Sequence, residues 1–232
     1  MKIAVALYLY HTDLWDEYKE LIENIKYKIK LYLGLCINTN FSHILKDLSN
    51  LSWNYSLSFH ENYGADIAPF LYQLKAISEP FFIKTHSKKS LWGYGNTNWR
   101  YDLNHLLKPS IVDRAIKTLS LPTIGMIGNK KYLLHNNDKS IHINKIKTLC
   151  NLLQLNYTKL KNSPFFAGST FISKTNMFKQ ILLPQYSILE SYLKNEKNKI
   201  NEEHGTYTHS LERIFGYIVS HHNLKIGLYY ND

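Results

Sequence analysis

What most constrains this chain is the order in which two hydrophobic periodicities alternate along its first half. Residues 2–10 are a continuous apolar run, Lys2-Ile3-Ala4-Val5-Ala6-Leu7-Tyr8-Leu9-Tyr10, the pattern of a strand buried on both faces. The run passes straight into His11-Thr12-Asp13 without a small-residue cleavage site, so it reads as a first strand and not as an export signal. Asp13 can cap a helix in which Trp15, Tyr18, Leu21, Ile22 and Ile25 keep helical spacing. A strand near 29–37, a helix near 41–50 and an alternating strand over Trp53–Phe59 follow. A turn at His60–Ala65 leads into a helix from Asp66 to Ile77, which Pro80 ends, and Phe81-Phe82-Ile83-Lys84 begins another buried strand. Helices at 99–107 and 110–119 and a strand at Thr123–Ile127 complete this half. Beyond residue 160 the pattern is less regular, with a strand over Phe165–Ser173 and helices at 174–181 and 205–219.

Strand and helix in this rhythm imply right-handed crossovers and a mostly parallel sheet. The expectation is one α/β domain over residues 1–232, with no internal repeat and no Gly-, Pro- or Ser-rich linker. In such sheets ligands sit beyond the carboxyl ends of the strands. Those ends are Tyr10-His11-Thr12, His60–Asp66, Thr85–Lys89 and Gly128–Tyr132.

Composition narrows the partner. With 44% hydrophobic and 20% charged residues the chain is neither disordered nor collagen-like. A formal net charge of +10 admits nucleic acid, an anionic membrane face or a phosphate-bearing small molecule. No zinc finger, RNA-recognition strand or basic arm is present, so no nucleic-acid partner is expected. The excess is almost all lysine, a residue that AT-rich codons favour, and Arg100, Arg114 and Arg213 are the only arginines. An arginine in such a chain suggests a need for its planar fork. Cys36 and Cys150 follow no metal-binding or CxxC spacing, as for buried thiols in a reducing compartment. No apolar stretch approaches the roughly 18 residues that span a bilayer. The expected location is cytoplasmic, at most peripheral at the inner membrane, where Lys159–Lys161 or Lys194–Lys199 can meet anionic headgroups or remain solvated.

Five clusters can carry chemistry. In Glu61-Asn62-Tyr63-Gly64-Ala65-Asp66, Gly64 permits a positive φ. Asp66 either caps the helix that starts there or joins Asn62 in facing a sugar or ribose hydroxyl. Thr85-His86-Ser87-Lys88-Lys89-Ser90 suits a diphosphate, although it lacks a P-loop and equally reads as a solvated basic loop. Trp99-Arg100 can hold a sugar face or a phosphate, or Trp99 can join Leu103 and Leu106 in a buried stripe. In Phe165-Phe166-Ala167-Gly168-Ser169-Thr170-Phe171 two small residues mark a close approach to the backbone, by a ligand or a packed helix. In the last cluster, Glu202-Glu203-His204-Gly205-Thr206-Tyr207-Thr208-His209-Ser210-Leu211-Glu212-Arg213, a helix from Thr206 places Thr206, His209, Glu212 and Arg213 on one face. They read as a general base with its orienting group, or as a surface Glu–Arg pair.

Taken in order, these clusters resemble the rhamnan synthesis protein F family, associated with bacterial surface-polysaccharide assembly. Its Asn-x-Gly-x-Asp segment is matched by Asn62, Gly64 and Asp66 with Ile67-Ala68-Pro69-Phe70-Leu71 after them. Its His-x-Lys-Lys is matched by His86, Lys88 and Lys89, and its Trp-Arg by Trp99 and Arg100. Ile124-Gly125-Met126-Ile127 and Ala167-Gly168-Ser169 follow, and Gly205, Thr206, His209, Glu212 and Arg213 match the closing Gly-Thr-x-x-His-x-x-Glu-Arg. The one departure is His204, where the pattern leads to an aspartate and Glu202 or Glu203 can substitute.

The resemblance implies a Rossmann-like, three-layer α/β domain of the GT-A type and a glycosyltransferase taking a nucleotide-diphosphate-sugar donor, with rhamnose or another hexose passed to a surface polysaccharide or lipid-linked glycan. Many enzymes of that fold hold a divalent metal on an Asp-x-Asp pair after the middle strand. His86-Ser87-Lys88 stands there instead, so no cofactor is expected, and fixed positive charge replaces the metal. The implied donor-binding residues are Asn62, Gly64, Asp66, His86, Lys88, Lys89 and Arg100. Trp99, Gly168, Ser169 and Arg213 are the implied sugar or acceptor residues, and Glu212, His209 and Asp66 the catalytic ones. The rival reading is a non-catalytic glycan-binding or scaffolding module of a polysaccharide-synthesis complex.

Overall fold

A computed structural model describes residues 1–87, 89, 99–136, 140–198 and 205–230. In chain order the first half comprises β1 (Lys2–Leu9), α1 (Trp15–Glu23), β2 (Lys28–Cys36), α2 (Ser42–Asn50), β3 (Asn54–His60), α3 (Ile67–Ala76), β4 (Phe81–His86), α4 (Trp99–Asn104), α5 (Pro109–Leu119) and β5 (Ile124–Asn129). The second half comprises β6 (Leu133–His135), α6 (Ile143–Leu152), α7 (Tyr157–Leu160), β7 (Pro164–Phe166), β8 (Phe171–Lys174), α8 (Thr175–Leu182), α9 (Tyr186–Glu196), α10 (Tyr207–His221) and β9 (Lys225–Tyr229).

Seven strands form one sheet in the order β3-β2-β1-β4-β8-β5-β9, and β6 pairs with β7 apart from it. The first four run parallel, β8 is antiparallel to β4 and β5, and β9 is parallel to β5. The class is α/β with a mostly parallel sheet, as the alternation of periodicities implies. The β1 run is buried because both faces are covered. Ile3, Val5, Leu7 and Leu9 share a core with Trp15, Tyr18 and Ile22 of α1 and with Ile111, Val112 and Ile116 of α5. Ala4 and Ala6 belong to the opposite core, which α3, α6, α8, α9 and α10 close. At its centre Phe70, Phe82, Phe171, Phe178 and Phe215 pack ring against ring, with centroids 5.3–6.5 Å apart.

Three local expectations are corrected. The stretch 165–173 is two strands, because Gly168 (φ +84°) and Ser169 (φ +46°) are left-handed and turn the chain between β7 and β8. Asp13 does not cap α1. It lies in a 3-10 turn, Leu14 precedes the helix without a side-chain cap, and the Asp13 carboxylate meets Lys89 instead. The helix expected at 99–107 narrows to a 3-10 turn over His105–Leu107. Helices α6 and α9 and strand β9 are additions to the sequence reading. Cys36 and Cys150 are buried free thiols. Among the described residues no helix is long and apolar enough to cross a membrane.

Candidate active site

Because β8 runs against β4, it begins beside the carboxyl end of β4, with Phe171 opposite Lys84. The Ala167–Thr170 turn therefore closes against the edge where the parallel strands end. A cleft of about 490 Å³ opens there. Tyr8, Tyr10 and His11 line it from the end of β1, His86, Ser87 and Lys89 from β4, and Asn62, Ala65, Asp66 and Ile67 from the start of α3. Gly168 and Ser169 of the turn, Asn198, and Thr208, His209 and Glu212 of α10 complete the wall. Three of the four strand ends named from sequence thus converge. The fourth, Gly128–Tyr132, does not line the cleft; there the Lys131 ammonium and the Tyr132 hydroxyl each donate to Asp102, at 2.6 Å.

Gly64 has φ +63°, and a Cβ on it would fall 2.8 Å from that of Ala68, so the tight entry to α3 requires glycine. Asp66 then occupies the N-cap position of α3, yet its side chain makes no capping bond. Instead Oδ2 accepts from the Lys84 ammonium and the Ser169 hydroxyl, and His86 Nδ1 lies 3.6 Å away. Lys84 is only 1% exposed, and it also donates to Ser169 O at 3.0 Å and Ser169 Oγ at 2.8 Å. Burial pushes the Asp66 carboxyl up, but the charges of His86 and Lys84 outweigh it and hold Asp66 well below the usual carboxylate range.

Glu212 is placed by the opening of α10. Thr206 Oγ1 accepts from His209 N at 3.1 Å and lies 2.6 Å from His209 Nδ1. The Glu196 carboxylate accepts from Tyr207 N at 2.8 Å and Thr208 N at 3.2 Å. One turn further on, Glu212 Oε1 accepts from the Gly168 N–H at 2.7 Å, and Oε2 lies 3.8 Å from Arg213 Nη1. Burial raises the Glu212 carboxyl above its ordinary value, opposed by Arg213 and His209 and reinforced by the negative charge of Asp66. The cleft therefore holds two carboxyl groups pushed in opposite directions, a pattern that separates acid–base roles.

Of the residues singled out from sequence, Asn62, Asp66, His86, Lys89, Gly168, Ser169, His209 and Glu212 meet in this cleft. Gly64 shapes its wall from behind, and Lys88 and residues 202–204 lie outside the described residues. Trp99, Arg100 and Arg213 do not line it. Trp99 stacks on Tyr132 with centroids 6.0 Å apart and backs the Gly168 turn. Arg100 Nε is 3.4 Å from Glu17 Oε2. Arg213 donates to His209 O at 2.9 Å and lies 4.8 Å from the centre of the Phe165 ring.

Sequence reasoning did not single out Lys84, Tyr8 or Asn198, and it named Ser87 and Thr208 only as members of their clusters. Asn198 holds the Asn62 loop, donating to Asn62 O at 2.9 Å and accepting from Ala65 N at 3.0 Å. Lys84 left one signal, a cation directly after the apolar run Phe81-Phe82-Ile83 and inside a strand read as buried.

Among the described residues no group of three or more His, Cys, Asp and Glu stands together to hold a metal ion. The Asp66 oxygen that faces the cleft network contacts an ammonium and a hydroxyl.

Several solved structures resemble the chain. S. aureus TarS 1–349 in complex with UDP-GlcNAc is 12% identical, with a TM-score of 0.46 over 77% of this chain and 47% of that one. Glucosyl-3-phosphoglycerate synthase from Mycobacterium tuberculosis in complex with UDP is 12% identical, with a TM-score of 0.45 over 97% of this chain and 81% of that one. The same synthase with Mn2+, UDP and phosphoglyceric acid is 11% identical, with a TM-score of 0.44 over 97% and 79% of the two chains. The chain spans about half the length of that TarS structure. No curated protein matches the sequence. A model of the family described as rhamnan synthesis protein F matches residues 1–224 of the 232. The chain belongs to the rhamnan synthesis protein F family.

Proposed function

We propose that this chain is a glycosyltransferase that moves a sugar, rhamnose or another hexose, from a nucleotide-diphosphate-sugar to a growing cell-surface polysaccharide or lipid-linked glycan. The observation that carries the reading is the cleft at the carboxyl edge of the parallel strands, where Asp66 is held anionic while burial raises Glu212. In this reading Asn62 and Asp66 receive donor hydroxyls. His86 and Lys89, with Lys88 beside them in sequence, meet the diphosphate and stabilise the departing anion without a metal ion. Glu212 is the general base. Its raised proton affinity makes the ionised form a stronger acceptor, and the Gly168 N–H fixes its orientation. It takes the proton of the acceptor hydroxyl as that oxygen bonds to the anomeric carbon, and the bond to the nucleoside diphosphate breaks with inversion. His209 stands beside it on α10, and Gly168 and Ser169 form the neighbouring wall. Trp99, Arg100 and Arg213, outside the lining, act by packing and pairing around this wall. A lipid-linked acceptor would bring the protein to the inner membrane face.

The test is transfer or hydrolysis of radiolabelled nucleotide sugars by the purified chain, with and without EDTA. Label moved to acceptor or water at an EDTA-insensitive rate is expected. Activity that disappears in EDTA and returns with manganese or magnesium overturns the metal-free mechanism. A folded protein that binds glycan but processes no donor favours a scaffolding module.

A further inference from the structure

We propose that Lys84 is a positioning residue of this cleft: its buried ammonium ties Asp66 to the Gly168–Ser169 turn, and through that turn it sets Glu212 on the opposite wall. The inference rests on the reading of the cleft as a transferase site. Strand β4 alternates, so Lys84 shares a face with Phe82, inside the aromatic core. Its Nζ lies 5.3 Å from the centre of the Phe70 ring. An ammonium there is costly to bury unless every donor is used. Three contacts match its three donors: Asp66 Oδ2, Ser169 O at 3.0 Å and Ser169 Oγ at 2.8 Å.

Those contacts join segments far apart in sequence. Ser169 Oγ donates to Asp66, and the adjoining Gly168 N–H donates to Glu212 Oε1 at 2.7 Å. Both turn residues are left-handed, at φ +84° and +46°; glycine adopts this conformation freely, but Ser169 keeps it only where the surroundings over-determine it. Lys84 supplies two of the bonds that do so. The path Asp66–Lys84–Ser169–Gly168–Glu212 therefore spans the cleft, and one buried cation keeps its two carboxyl groups in register. A core ion pair with no such role would leave the Gly168 amide and Glu212 indifferent to it.

The experiment compares the full-length wild-type chain with Lys84→Met and Lys84→Arg. The Asp66 carboxyl carbon and the Gly168 amide are followed by NMR as pH is varied over roughly 4–8, together with thermal unfolding. The groups that face Asp66 are Lys84 and His86 of β4, Ser169 of the turn, Tyr8 of β1, and Glu212 and His209 of α10. In the wild type Asp66 stays ionised across the range. In folded Lys84→Met its carboxyl titrates within the range and the Gly168 amide resonance moves, while Lys84→Arg restores the ionisation in part. A folded Lys84→Met in which neither signal changes overturns the proposal. Should Lys84→Met not fold, Ser169→Ala cuts the same path beyond the ammonium. A shifted Glu212 carboxyl-carbon resonance, at the far end of the path, is then expected, and an unshifted one overturns the proposal. These readouts need no substrate, so wild-type chain that transfers no sugar refutes the transferase reading while leaving the Lys84 result to stand or fall by itself.

Discussion

Replacing Glu212 with glutamine separates the chemistry of the cleft from its packing. The amide keeps the shape of the carboxyl, and its carbonyl can still accept from the Gly168 N–H, now 2.7 Å from Oε1. Exchanging a charged acceptor for a neutral one costs about 1 kcal/mol. A second effect has the opposite sign. Burial raises the Glu212 carboxyl above its ordinary 4.5, so the folded chain holds that proton more tightly than the unfolded chain does. The corresponding stability is present below 4.5 and is lost as pH rises through the folded value, and at neutral pH the ionised group is a burden that glutamine removes. The two effects are comparable, so stability should change by no more than about 1 kcal/mol, or roughly 2–4 °C in Tm for a chain of this size. Turnover should fall about 10²- to 10⁴-fold, some 3–5 kcal/mol in the barrier. The assay pairs release of nucleoside diphosphate with calorimetry of the same preparation. A folded variant with turnover within about tenfold of wild type removes Glu212 from the role of base, and a loss of fold contradicts the balance of stability effects worked out above.

Two further expectations concern the scaffold and its response to acid. Helix α10 passes so close to β7 that a Cβ on Gly216 would sit 1.7 Å from the Pro164 carbonyl oxygen; Gly216→Ala should cost about 3 kcal/mol or more, and an unchanged denaturant midpoint would contradict the packing described. Burial holds the imidazoles of His60 and His142 down to about 4, against an ordinary 6.5. The unfolded chain therefore binds those protons first, and stability is lost as pH falls from 6.5 towards 4, by up to about 3 kcal/mol for each imidazole. Asp66 has the opposite shift and loses its contribution only below its ordinary 3.8, so urea midpoints flat between pH 7 and 4.5 would refute the histidine assignment.

The first half of the fold was legible because its strands are buried on both faces and its helices carry one apolar stripe. The β1 run and the Trp15–Ile22 spacing leave few other arrangements. The break at Gly168–Ser169 was not legible. A left-handed pair in an aromatic run looks like strand until the tertiary contacts of Lys84 and Glu212 are known. Helix α6 did leave a signal, since Ile146, Leu149, Cys150 and Leu153 keep helical spacing and are buried, whereas the short β9 carries too few residues to stand out. In the site, Asp66 was visible as a charge at a helix start and Glu212 as a charge sharing a helix face with Thr206, His209 and Arg213. What the sequence could not show is that Asp66 abandons its cap for a lysine 18 residues away, or that Arg100 and Arg213 turn to Glu17 and Phe165. Scarcity of arginine marked positions that matter for pairing and packing around the cleft more than for lining it.

The central claim, that this cleft receives a nucleotide-diphosphate-sugar, is tested most directly by thermal unfolding of the full chain across a panel of nucleoside diphosphates and their sugars. A ligand at 100 times its Kd stabilises the fold by about 2.7 kcal/mol, which at this size is roughly 5–10 °C in Tm. The account predicts such a rise for at least one nucleotide sugar, dependent on its concentration and diminished in His86→Ala. A panel in which no member moves Tm, at millimolar concentrations and in low salt, would contradict it.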